Sequence, residues 1–168
     1  HDLHLRLEGE VVHWLQLAFL EDWHYATGVA LRDAQLWPAS ANGPVLAQVL
    51  PSGPDSPWEA IHRVHVEAIH QANQRVWLVT PYFVPGEAAR MALVSAALRG
   101  LDVRVLEPAR SDSVIVSAAA RSYFDELVSA GVRVFEYQPR MLHTKALLID
   151  GDTCLLGSAN FDHRSFRL

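Results

Sequence analysis

Cysteine and lysine are almost missing from this 168-residue chain. Its one cysteine, Cys154, excludes an internal disulfide. Cys154 lies in the apolar run Cys154-Leu155-Leu156 and reads as a small buried hydrophobe rather than a nucleophile. No unbroken apolar stretch is long enough to span a bilayer, and no signal-peptide pattern is present. Internal repeats and low-complexity tracts are also lacking. An excess of basic charge is lacking too. The formal net charge of −5 argues against bulk nucleic acid as the main partner. What remains is half hydrophobic, enough for one globular domain with a sizeable core. The chain opens on His1 and ends at Phe166-Arg167-Leu168 without a closing turn. A piece of a longer protein is therefore expected, with any membrane anchor outside it.

The lysine shortage is informative in itself. Of fourteen basic residues, Lys145 is the one that is not arginine. An ammonium is a compact point charge, whereas a guanidinium is planar and larger. A chain that uses arginine elsewhere and lysine here hints at a site needing the smaller group.

Along the chain, Leu3-His4-Leu5-Arg6-Leu7 alternates like a half-buried strand. Residues 11–26 carry a broad helical apolar stripe, and Gly28 follows as a helix stop. Residues 29–57 read as a loop region, rich in proline after residue 37, with a short strand possible at 45–50. Residues 58–168 form the core with the chemistry-bearing motif. There, a helix is expected over 56–73, with Ser56 and Glu59 as a capping box. A strand over 75–80, a helix over 87–99, a strand over 102–106, a helix over 114–130 and a strand over 132–137 follow. A hairpin of 142–150 and 153–156 closes the pattern. Helices alternating with apolar strands predict an α/β fold around a mixed sheet.

Residues 143–160 read His-Thr-Lys-Ala-Leu-Leu-Ile-Asp-Gly-Asp-Thr-Cys-Leu-Leu-Gly-Ser-Ala-Asn. On a strand, His143 and Lys145 share a face. The turn at Gly151-Asp152 returns Gly157, Ser158 and Asn160 to their level. One hairpin thus gathers an imidazole, an ammonium, a hydroxyl and a carboxamide. Lysine, serine, asparagine and backbone amides can hold a phosphate, and histidine can act as nucleophile or general acid. Gly157 permits close approach of the backbone. After its apolar run, Asp150 is expected to face inward or to cap the hairpin turn.

The spacing His-x-Lys-x4-Asp-x6-Gly-Ser-x-Asn resembles the signature of the phospholipase D superfamily. The likeness extends to Thr80-Pro81-Tyr82-Phe83-Val84-Pro85, Leu101-Asp102-Val103-Arg104-Val105, Ser122-Tyr123-Phe124, Ala130-Gly131-Val132 and Asp162-His163-Arg164-Ser165-Phe166. These resemble the C-terminal half of bacterial cardiolipin synthases. The opening Asp2-Leu3-His4-Leu5-Arg6-Leu7-Glu8-Gly9 is similar to the segment that follows their first motif. The resemblance implies an α-β-α sandwich that is one of two repeats, with the active site between them. It implies no metal and no other cofactor. It also implies a phosphohistidine on the first motif's histidine, with His143 of the second motif as general acid and base. Lys145 and Asn160 would bind phosphate oxygens, Asp150 would orient or balance charge, Ser158 and Gly157 would line the pocket, and Tyr82 and Phe83 would border the entrance. The family also places a glutamate after the Arg-Ser-Phe stretch, beyond this chain.

The implied reaction joins two phosphatidylglycerols into cardiolipin plus glycerol at the bacterial cytoplasmic membrane. The enzyme would be peripheral, or anchored by segments outside this chain. The expected partners are phosphatidylglycerol, anionic membrane phospholipid, and a missing N-terminal half with the first motif, or a second copy of the chain. No nucleic acid is expected. A nuclease-like phosphodiesterase completed by homodimerisation is the alternative, and a non-catalytic interaction module is a third reading. His62, His65 and His70 read as solvated or partly packed helix residues rather than metal ligands. Trp14 and Phe19 are expected in the core; Asp112 reads as a helix cap.

Overall fold

The computed structural model describes residues 2–41, 43–53, 58–138 and 140–167. The chain divides into two compact units, one of residues 4–51 and one of residues 52–168 with 1–3. The shorter unit holds one full helix, α1 (Val11–Thr27), which stops where Gly28 turns left-handed at φ 71° and gives its N–H to His24 O. Asp33 caps a single 3-10 turn by accepting from the Gln35 amide at 2.8 Å. No residue of α1 is buried. Trp14 and Phe19, expected in the core, stand 61% and 52% exposed. So short a unit has no second layer in which to bury a helical stripe. The expected strand at residues 3–7 does not form, and Leu3, Leu5 and Leu7 are exposed. An alternating pattern makes a strand only where a neighbour supplies ladder bonds. The strand considered at 45–50 is likewise absent.

The larger unit begins with α2 (Ala60–Gln71), later than residue 56. Ser56 lies outside the described residues. Glu59 stands at the N-cap in a left-handed conformation and makes no side-chain cap bond. Then come β1 (Arg75–Val79), β2 (Phe83–Val84), α3 (Glu87–Leu98) and β3 (Asp102–Pro108). The single helix expected over 114–130 is two, α4 (Val114–Arg121) and α5 (Phe124–Ser129). β4 (Arg133–Tyr137), β5 (Ala146–Ile149), β6 (Thr153–Leu156), β7 (Phe161–Asp162) and α6 (His163–Arg167) complete it.

The main sheet has the order β4-β3-β1-β5-β6. β1, β3 and β4 are parallel, and β5 runs against both β1 and β6. A mixed sheet in an α/β chain is thus what the sequence pattern predicts. β2 and β7 form a separate parallel pair. Alternate residues Val76, Leu78, Val103, Val105, Leu147 and Ile149 are buried with the helical residues Ile69, Ala92, Leu93, Ala96 and Leu127. Ala89, Ala92, Leu93 and Ala96 repeat at helical spacing and form the buried face of α3.

The other face of the sheet is half-exposed. There the Trp77 ring lies between the guanidiniums of Arg75 and Arg104, each 4.6 Å from its centroid. Asp102 binds Arg104, Arg133 and Trp77 Nε1, and these donors, Arg104 foremost, hold its carboxyl far below the usual range. Cys154, expected to be buried, is exposed, because β6 is the edge strand and Cys154 pairs with Leu148 on this face.

Candidate active site

The parallel strands β1, β3 and β4 all end at one edge of the sheet. The β1–β5 register pairs Val79 with Ala146, so Lys145 stands just beyond, opposite Thr80. His143 and Lys145 precede β5 in irregular chain rather than lying within the strand expected over 142–150. Carboxyl ends of parallel strands are where open α/β sheets place their ligands.

The two side chains meet there. Lys145 Nζ lies 2.8 Å from His143 Nδ1 and 3.1 Å from Nε2, and donates to the His143 carbonyl at 2.6 Å. Partial burial pushes the lysine below its ordinary pKa, with the Asp2 carboxylate opposing the shift. The His143 side chain is 53% exposed, open to a reactant from outside the chain.

Asp2 joins this pair, although nothing in the sequence flagged it as a site residue. Its Oδ2 lies 3.3 Å from His143 Nδ1. The Leu3 amide, then His143, hold the Asp2 carboxyl below its usual range. With its proton on Nδ1 the ring donates to Asp2 and can accept from Lys145 at Nε2; with the proton on Nε2, Nδ1 accepts from Lys145 instead. A separation of 141 residues hides such a contact from any local pattern.

The returning strand brings Gly157 beside Lys145, with its N–H donating to the Lys145 carbonyl at 3.4 Å. Ser158 is exposed next to it. Asn160 is half-buried. Its Nδ2 donates to Ser165 Oγ at 3.3 Å, and its Oδ1 is buried with no hydrogen-bond partner among the described residues. A serine hydroxyl donates as readily as it accepts, so this carboxamide can turn either its oxygen or its NH2 to the unfilled side.

Asp150 is not brought to this cluster. It lies at the far end of β5, about 16 Å from Lys145 at strand rise. Its carboxylate accepts from the amides of Asn73, Gln74 and Arg75 at 2.8–3.2 Å and closes the α2–β1 connection. The Arg75 amide, then that of Gln74, lead in lowering its pKa. Phe83 is not at an entrance either. It is 0% exposed and stacks on Phe161 at 5.9 Å. Tyr82 does lie at the edge, half-buried, with its hydroxyl donating to Asp112 Oδ1 at 2.6 Å. That bond raises the phenol's pKa. Asp112 is not the cap expected of it: Ser113 is the N-cap of α4 and accepts from the Val116 amide. The α2 histidines pack on aromatic rings. His62 stacks on Phe166 at 4.8 Å, and His65, pushed below its ordinary pKa by burial, meets Phe161 and Phe166.

Residues 65–168 match the family described as cardiolipin synthase, PLD-like domain. The chain belongs to this family. It is 50% identical over 167 residues to cardiolipin synthase A of Pseudomonas putida (strain GB-1), covering 99% of this chain and 35% of that protein. It is 44% identical over 174 residues to the cardiolipin synthase of Geobacillus thermodenitrificans (strain NG80-2), covering 99% and 34%. The chain therefore spans about a third of the length of these relatives. Among solved structures, Nuc from Salmonella typhimurium, a phospholipase D family member, aligns at a TM-score of 0.57 and 25% identity, over 67% of this chain and 72% of that one. NucT from Helicobacter pylori aligns at 0.51 and 23% identity, over 66% and 74%, and supports the fold. No helix among the described residues is long and apolar enough to cross a membrane.

Proposed function

We propose that this cardiolipin synthase-like domain supplies one half of a phosphatidyl-transfer site that converts two phosphatidylglycerols to cardiolipin and glycerol. The observation that carries the reading is the cluster of Asp2, His143 and Lys145 at the strand ends, with Gly157 beside Lys145. Lys145 supplies a positive charge for a phosphate oxygen, and Asn160 and the hydroxyl of Ser158 supply hydrogen bonds to others. Asp2 orients the His143 ring. The nucleophile is a histidine on the other half of the site. Its nitrogen attacks phosphorus, the bond from phosphorus to the glycerol headgroup oxygen breaks, and His143 gives that oxygen its proton. His143 then takes the proton from the hydroxyl of a second phosphatidylglycerol. That oxygen attacks phosphorus and releases the histidine. The other half comes from the remainder of a relative-length protein or from a second copy. Work on this substrate places the protein at the bacterial cytoplasmic membrane.

The test uses the relative-length protein with labelled phosphatidylglycerol. Cardiolipin and free glycerol are expected in equal amounts. DNA cleavage without cardiolipin would instead favour the phosphodiesterase reading. Replacing His143 with Ala should lower turnover by at least about 10²-fold. Because the side chain is largely exposed, the melting temperature should stay within a degree or two of wild type.

A further inference from the structure

We propose that Thr80 is a positioning residue for Asn160, acting through one buried hydroxyl that ties the end of β1 to the end of the motif. The proposal rests on the reading of the site as a phosphate pocket.

Thr80 is 1% exposed, one of two buried polar residues in the described structure. Its hydroxyl uses both of its capacities. It donates to the Tyr82 carbonyl at 2.9 Å and accepts from the Phe161 amide at 3.0 Å. Phe161 directly follows Asn160, so this bond fixes the peptide that carries the carboxamide. Thr80 also stands opposite Lys145 on the extended β1–β5 register. It is held there by its own N–H, which donates to the Leu106 carbonyl at 3.1 Å. One residue thus adjoins the chain at both of the groups that would hold the phosphate. The clamp continues where β2 pairs with β7 and Phe83 stacks on Phe161.

Asn160 needs such a support. It sits in irregular chain between β6 and β7, and among the described residues its amide head has one hydrogen-bond partner, Ser165. A buried hydroxyl that both donates and accepts is costly to leave unpaired, so it resists displacement of either partner. A hydrophobe of the same shape would fill the space and leave the Phe161 amide without an acceptor.

The experiment compares wild type, Thr80→Val and Thr80→Ser by NMR of the ¹⁵N-labelled chain, with inorganic phosphate as the probe. In Thr80→Val the Phe161 amide should exchange at least ten-fold faster. Phosphate should bind on the order of ten-fold more weakly, with the response at Asn160 lost and that at Lys145 kept. Thr80→Ser should behave as wild type in both respects. A merely structural threonine would lower the melting temperature of Thr80→Val and leave the Asn160 response intact, which overturns the proposal. Loss of the Asn160 response in Thr80→Ser overturns it as well, even where Thr80→Val fails to fold. Should wild type show no phosphate response at all, the phosphate reading of the site fails. The tie itself then stands or falls on Phe161 exchange, and unchanged exchange in Thr80→Val overturns it.

Discussion

At the scale of single residues, two carboxylates exchange the parts that their positions in the chain suggest. Asp150 belongs to the motif, yet it binds the amides of Asn73, Gln74 and Arg75 and makes no contact with His143. Asp2 belongs to no motif, yet it lies against the imidazole. Spacing reports which residues occur together, and only the path of the chain decides which of them touch. His143 and Lys145 were legible because residues two apart in the chain are close enough to meet, and they do so although the strand begins only at Ala146. Asp150 was expected to face inward or to cap the hairpin turn, whereas the amides it binds lie more than seventy residues earlier in the chain. Replacing Asp150 with Ala should therefore act on stability, leaving three amides without their acceptor. A lower melting temperature is expected, with the His143 and Lys145 resonances in place. Loss of the Lys145–His143 contact at unchanged stability would assign Asp150 to the site instead. The depressed pKa of Asp150 has the usual acid sign. Its contribution is present above the ordinary carboxylate pKa and is lost as pH falls through the lowered value.

At the scale of elements, strongly periodic segments were readable and short ones were not. α1, α3, β1 and β3 follow from apolar spacing and from glycine stops such as Gly100, which adopts φ 88°. The break between α4 and α5 was not readable, since Ser122 and Tyr123 are acceptable helix residues. The Ser122 hydroxyl instead bonds back to the Ala119 carbonyl, three residues before it, a local competition that a helical pattern conceals. The pairing of β2 with β7 spans only two residues each and joins segments far apart in sequence. It also explains why Phe83 is core although its neighbour Tyr82 reaches the site edge: adjacent residues of an extended segment point to opposite sides. Replacing Phe83 with Ala should cost about 3–5 kcal/mol, as for other buried aromatics, read from a denaturant midpoint. A Phe83 that lined an entrance would tolerate the change with stability intact.

At the scale of the whole molecule, the charge balance is acidic, and one acid lies where charge is least welcome. Glu107 is buried near the end of β3, paired in register with Glu136 on β4. Burial first, and then the Glu136 charge, raise its pKa to about 7, while Arg121 opposes them. Arg121 is already engaged, bonding Glu136 at 2.8 Å and the Ala109 carbonyl at 3.3 Å. Between its ordinary pKa and this raised value, the folded chain keeps a proton that the unfolded chain has lost. Stability from this group is thus fully present below about pH 4.5 and declines as pH rises toward 7. At about 1.4 kcal/mol per unit, the decline is at most on the order of 3 kcal/mol. Glutamine keeps the shape and cannot ionise, so Glu107→Gln should remove this slope and make the protein more stable than wild type at pH 8. Urea midpoints of the two proteins at pH 5 and pH 8 test it. The two should lie closer together at pH 5 than at pH 8, and an equal gap at both pH values would show that Glu107 holds no proton in the folded chain.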